Sequence, residues 1–157
     1  MQVEWKTSTF EALRNDELYD ILQLRMQVFI LEQDSIYLDL DGKDRQARHM
    51  LGTVAGGLCA YQRCLPPGAS YPESSLGRIV VAPKWRGQSL GRELVSRGIT
   101  YNLSTWPDSG ICISAQAHLQ PFYSELGFCS EGPQYQEDGI PHRKMRYAQP
   151  GSVVPGS

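Results

Sequence analysis

The sequence predicts a mixed α/β fold, a central and mostly antiparallel sheet flanked by helices. Short apolar runs bounded by turn residues alternate with two longer stretches of helical spacing. The strand signals come first as neighbouring hairpin-like runs and then as a strand–helix–strand unit. No repeat and no linker-like shift in composition divides the 157 residues. Residues 1–148 therefore read as one domain, with 149–157 as a loose Pro/Gly/Ser tail.

Each element has its own local reason. "QVEWKTSTF" alternates Val3, Trp5, Thr7 and Thr9 and reads as a first strand. Asn15 offers an N-cap, and Asp16 and Glu17 follow in the first turn, where acids suit the helix dipole. Leu18, Ile21, Leu22, Met26, Phe29 and Ile30 then keep helical spacing to about Gln33. "DLDGKDRQ" reads as a turn. The Gly56-Gly57 pair between two apolar runs signals a hairpin. "LGRIVVAP" is a strand ended by Pro83, and Leu90, Leu94, Val95 and Ile99 mark one face of a helix running to about Thr105. "GICISAQA" is another strand. "LQPFYSELGF" has Pro121 early and Gly127 late, as a short helix should. Two further strands are expected over 128–137 and 142–147.

Composition excludes several functions. With 41% apolar and 20% charged residues the chain can bury an ordinary core. Its net charge of −2 lacks the basic excess of a nucleic-acid binder. No run of about 18 apolar residues suggests a membrane span, and "MQVEWKTS" has no apolar signal core, so a cytoplasmic protein is expected. Cys59, Cys64, Cys112 and Cys129 are widely spaced, which fits reduced cysteines and no zinc site. Asp39, Asp41 and Gly42 miss the register of a calcium loop, and no metal is expected. An acidic turn here could instead attract a cationic amine.

The stretch "APKWRGQSLGREL" is the most informative. Arg86, Gly87, Gln88, Ser89, Leu90 and Gly91 fall between a strand and a helix, with Arg92 just inside the helix. The first amides of a helix lack internal partners and its dipole is positive there, so small residues allow phosphate oxygens to approach. The pattern is neither a Walker A loop nor G-x-G-x-x-G. On spacing alone a phosphate cradle and a plain capped turn fit equally well.

"GRIVVAP", "RGQSLG", "ISAQA" and "LQPFYSELGF", in that order, resemble the GNAT superfamily of acyl-CoA-dependent N-acyltransferases. "LYDILQLRMQVFILEQ", "LDGKD", "AQAHLQPFYSELGF" and "EDGIPHRKM" are similar to its ElaA-type branch. The resemblance spans roughly residues 3–147. Arg86 and Gly91 match the ends of the family's loop, Q/R-x-x-G-x-G/A, while Ser89 stands where its middle glycine is usual.

The resemblance implies the GNAT fold and transfer of an acetyl group from acetyl-CoA to a primary amine. The amine would attack directly, through a tetrahedral intermediate. It places the pyrophosphate on the amides of Arg86 to Gly91, with charge from Arg86 and Arg92. It gives main-chain groups of Ile79, Val80 and Val81 to the pantetheine and the oxyanion. Gln116 ends the second cofactor strand. Tyr123 matches the family's tyrosine and would protonate the leaving thiolate, since tyrosine still holds its proton at neutral pH. For the proton leaving the amine, Glu32, His118, His142 and a water chain are all open. The acceptor could be a polyamine, an amino sugar, an amino acid or a protein N-terminus. A GNAT-like module that binds acyl-CoA without turnover is the alternative, and strand edges near the C-terminus would permit a homodimer.

Overall fold

A computed structural model of the chain describes residues 2–148. The tail expected over 149–157 lies outside them. Strands β1 (Glu4–Thr9), β2 (Arg48–Val54), β3 (Gly57–Leu65) and β4 (Ser75–Val81) form one antiparallel sheet in chain order. Strands β5 (Cys112–Gln116), β6 (Phe128–Ser130), β7 (Tyr135–Glu137) and β8 (Ile140–Tyr147) form a second, with β8 pairing all the others antiparallel. The expected central sheet is thus two four-stranded sheets, joined at one parallel bridge between Ser74 and Ile111. There the Ser74 amide donates to Gly110 O at 3.2 Å and the Cys112 amide to Ser74 O at 2.9 Å. Among the described residues no ladder joins β4 to β5 beyond that point. The two strands part, and the gap between them becomes the site.

The connection from β4 to β5 is the helix α2 (Leu90–Thr105), as a parallel crossover requires. Its bounds agree with the sequence pattern, and Leu90, Leu94, Val95 and Ile99 are its buried face. It sits close on β3. Gln62 Nε2 donates to Leu94 O at 2.6 Å, and a Cβ on Gly98 would come within 2.5 Å of the same nitrogen. Neighbouring positions on the central strands face opposite cores, as the two-residue period dictates. Met50 and Ala60 join the α2 side, whereas Leu51 and Tyr61 pack with Ile21, Leu24 and Val28 from the first helix.

That first helix, α1 (Asn15–Arg25), begins one position earlier than the capping pattern suggests. Arg14 takes the cap position, and Glu17 accepts its amide at 2.9 Å. The helix then continues as a π-helical segment over Met26–Glu32. The hairpin turn is Ala55-Gly56 rather than Gly56-Gly57, with φ of +51° and +83°, the two left-handed positions of a type I′ turn. The short helix α3 (Gln120–Glu125) follows the expected pattern, and Gly127 lies just beyond its end. The strand expected over 128–137 is broken into β6 and β7 around Gly132 and Pro133, and the latter has no amide for a ladder. All four cysteines are free thiols, three of them buried. No helix among the described residues is long and apolar enough to cross a membrane.

Candidate active site between the parted strands

The geometry of the site starts with a bulge in β4. Its register against β3 shifts between Tyr61 and Arg63, so Arg78 and Ile79 together oppose Gln62. Arg78 carries a φ of +49°. Its side chain holds it there, with Nε donating to Asp39 Oδ1 at 2.8 Å and Nη2 to Asp39 O at 3.0 Å. Arg25, fully buried, grips Asp39 at 2.9 Å and Asp44 at 2.7 Å. Arg63 pairs with Asp41 and with Asp44. Burial alone would raise the carboxyls of Asp41 and Asp44, but hydrogen bonds from Arg63 and Arg25 respectively lower them, Asp41 well below the usual carboxylate range. The acidic turn is therefore matched by three arginines. Asp39 and Asp41 hold the β4 wall, and their charge is already taken, so the expected attraction of a cationic amine to them is not supported.

The bulge turns the end of β4 toward a cavity of about 530 Å³. Ile79, Val80, Val81, Arg86, Gly87, Ser89, Leu90, Gly91, Arg92, Gln116 and Tyr123 all line it, together with Glu32, Gln33 and His118. Gln88 is exposed on the loop and does not. The loop turns on left-handed backbone at Gly87 (φ +80°) and Ser89 (φ +60°). No atom comes within 4 Å of where a Cβ on Gly87 would lie, which leaves that backbone open to a ligand. The first bond of the helical ladder runs from the Glu93 amide to Ser89 O at 3.2 Å, so the amides of Leu90, Gly91 and Arg92 have no carbonyl within α2. These features fit a pyrophosphate. The two loop cations are not free, however. Arg86 pairs with Glu32 at 3.0 Å and donates to Val81 O at 3.2 Å, and Arg92 pairs with Glu125.

A second cavity, of about 480 Å³, opens on the other side of the same gap. Tyr123, Ile79, Gln116, Gln33, Phe29 and Leu119 line both, so the two meet at these residues. Tyr123 is 6% exposed and held edge-on between Phe122 and Phe128. Burial pushes its hydroxyl up to about 12. Phe122 lines only the first cavity. The Gln116 side chain reaches Gln33 at 3.2 Å, which ties the end of β5 to the end of the π-helical segment.

The three candidate bases separate. Glu32 and His118 border the first cavity, and His142 borders the second. His142 Nδ1–H donates to Ile140 O at 2.7 Å, which leaves Nε2 as the nitrogen that faces the cavity side. That nitrogen lies 3.3 Å from Glu137 Oε2, and the ring stacks on Tyr135. Ser114 bonds to Tyr135 and donates to Glu137 at 3.4 Å. Glu137, Tyr135, Ser114 and Gln33 were not among the expected site residues. The signal for Glu137 was the Asp138-Gly139 pair, whose left-handed turn sets Glu137 opposite Ile140 and Tyr135 opposite His142.

Comparison with known proteins agrees with this geometry. A family model described as "Acetyltransferase (GNAT) domain" matches residues 68–149, which hold the Arg86–Gly91 loop and Tyr123. The UPF0039 protein sll0451 of Synechocystis is 38% identical over 151 residues, covering 96% of this chain and 98% of that protein. Protein ElaA of Escherichia coli is 39% identical over 145 residues, 91% of this chain and 95% of its own. The crystal structure of E. coli ElaA superposes with a TM-score of 0.87 over 94% of this chain and all of that one. An acyl-CoA N-acyltransferase from Pseudomonas aeruginosa does so with a TM-score of 0.88 at 37% identity, over 94% of this chain and all of that one. Fold, parted strands and sequence agree, and the chain belongs to the GNAT acetyltransferase family, with ElaA among its homologues.

Proposed function

We propose that the protein transfers the acetyl group of acetyl-CoA to a primary amine. The observation that carries this reading is the position of Tyr123, which lines both cavities where they meet between the parted strands. One cavity would take the acyl donor, along β4 and the Arg86–Gly91 loop. The other would take the acceptor. Acetyl-CoA supplies a thioester carbonyl open to nucleophilic attack. The loop amides and the first amides of α2 would bind its pyrophosphate, and the β4 main chain past the bulge would bind the pantetheine and the developing oxyanion.

The acceptor nitrogen forms a bond to the carbonyl carbon and the carbon–sulfur bond breaks. His142 Nε2, paired with the Glu137 carboxylate 3.3 Å away, takes the proton the amine loses, directly or through a water. Glu137 beside it stabilises the imidazolium that results. Tyr123 gives its proton to the thiolate. The thiolate is a weaker base than the Tyr123 phenolate, so the phenolate is short-lived and regains a proton from the His142 imidazolium through solvent. Glu32, paired with Arg86 on the donor side, is the second candidate for the base.

Release of free thiol from acetyl-CoA, followed across a panel of primary amines, tests the reading. Tyr123→Phe is expected to lower kcat at least about 10²-fold while acetyl-CoA binding is kept. Binding of acetyl-CoA with no thiol release for any amine would mean a module that binds the donor without turnover.

A further inference from the structure

The second cavity is electrically polarised across its width. On the β3–β4 side, Asp39, Asp41 and Asp44 are matched by Arg25, Arg63 and Arg78, and their charges cancel within the wall. Lys43 is left over. It lines the same wall, half-buried, and its Nζ donates to Ser70 Oγ at 2.8 Å. No described carboxylate forms an ion pair with it. Its own backbone amide is fixed on Asp41 Oδ1 at 3.0 Å, so the residue is held by the arginine-bound turn.

The opposite wall has the other sign. Glu137 and Asp138 line it, and among the described residues neither pairs with a lysine or arginine. His142, the base assigned above, lies 3.3 Å from Glu137, while Lys144, two residues on along β8 and over the Tyr71 ring, is paired with Glu131 at 3.8 Å. Between the walls the lining is apolar and aromatic. Phe29, Tyr37, Leu38, Tyr71 and Ile113 contribute, and Leu38 is largely exposed at the opening.

We infer that the acceptor is an amino carboxylate, a small molecule whose primary amine faces Glu137 and His142 while its own carboxylate meets Lys43 and Ser70. This rests on the acetyltransferase reading. A polyamine would bring a second positive charge toward Lys43, and an amino sugar, with no carboxylate, would leave Lys43 without a counter-charge. A free amino acid with an apolar side chain satisfies both walls and the lining between them. A carboxylate bound by an ammonium and a hydroxyl forms charge-assisted hydrogen bonds, which makes the expected discrimination about 10- to 100-fold.

The test is a set of matched acceptors in the thiol-release assay. Leucine and phenylalanine are compared with isopentylamine and phenethylamine, which lack only the carboxylate. β-Alanine and ε-aminocaproate, against propylamine and hexylamine, report how far the carboxylate must reach. The wild-type protein is expected to favour at least one amino carboxylate over its partner amine by tenfold or more in kcat/KM. In Lys43→Ala that ratio should fall toward one, and in Lys43→Glu it should invert. Lys43→Arg should keep it. Because each variant is judged by a ratio, a loss of stability shared by both substrates does not affect the result. Equal or better turnover of the plain amines by the wild type would overturn the inference and leave the acetyltransferase reading standing. So would a preference that survives Lys43→Ala. Thiol release with neither kind of amine would remove both.

Discussion

Ser89 takes a left-handed backbone, φ +60°, at the foot of α2, where the family's loop carries its middle glycine. An L-residue pays roughly 1 kcal/mol there and glycine pays almost nothing. Ser89→Gly is therefore expected to raise stability by up to about 1 kcal/mol, read as a higher Tm, and to keep acetyl-CoA binding. The departure from the family pattern is a small cost in strain, since the backbone path is already the one glycine would take. Tyr123 illustrates what was legible at this scale. Its place on a short helix after a strand could be read from "PFYSELGF", and the structure puts the residue at the meeting of both cavities. Its burial could not be read, because Phe128 arrives from a later strand to cover it. His142 and Glu137 show the opposite case. They are five residues apart and adjacent in space only because the Asp138-Gly139 turn returns the chain on itself.

At the scale of elements, the π-helical segment and the Arg86–Gly91 loop are joined by the pair of Glu32 with Arg86. Both side chains are exposed by 43%, so the pair is weak and a phosphate can displace it. Glu32→Gln frees Arg86 for the donor. It is expected to tighten acetyl-CoA binding a few-fold at low salt, with the gain shrinking as salt rises. Unchanged affinity with a large fall in kcat would instead make Glu32 the base. The long helix α2 was legible to the residue because its apolar stripe, its small-residue start and its length agree. The π-helical continuation of α1 was not, since one extra residue per turn leaves the apolar pattern nearly unchanged. The parting of β4 from β5 has no local signature either, and only the family resemblance implies it. It depends on a bulge at Arg78, and the side chains that hold that bulge come from three separate segments.

The whole molecule is held by a buried polar layer as well as by its two cores. His49 is fully buried, donating from Nε2 to Asp44 O at 2.8 Å and accepting from Tyr61 at Nδ1, 2.7 Å. Burial lowers its pKa, so below about pH 6.5 the unfolded chain binds a proton the native state does not. Stability should then fall with acid from about pH 6.5, by up to ~1.4 kcal/mol per pH unit. Asp41 and Asp44, held low by arginines, contribute stability that is whole above about pH 4 and is lost as pH falls further. Thermal melts from pH 7.5 to 3 are expected to show both limbs, and His49→Gln should flatten the first. A flat Tm between pH 7 and 5 in the wild type would contradict the role given to His49. The central claim is that the gap between the sheets holds acetyl-CoA along β4 and the Arg86–Gly91 loop. A Cβ at Gly91 would meet only ordinary contacts, Val81 at 3.8 Å and Phe122 at 3.9 Å, so a longer side chain there obstructs the cavity without forcing the fold apart. Calorimetric titration of acetyl-CoA into the wild type and Gly91→Glu decides the matter. Micromolar binding to the wild type, lost in the folded variant, is the result this structure predicts. Equal binding by both, or by neither, would contradict it.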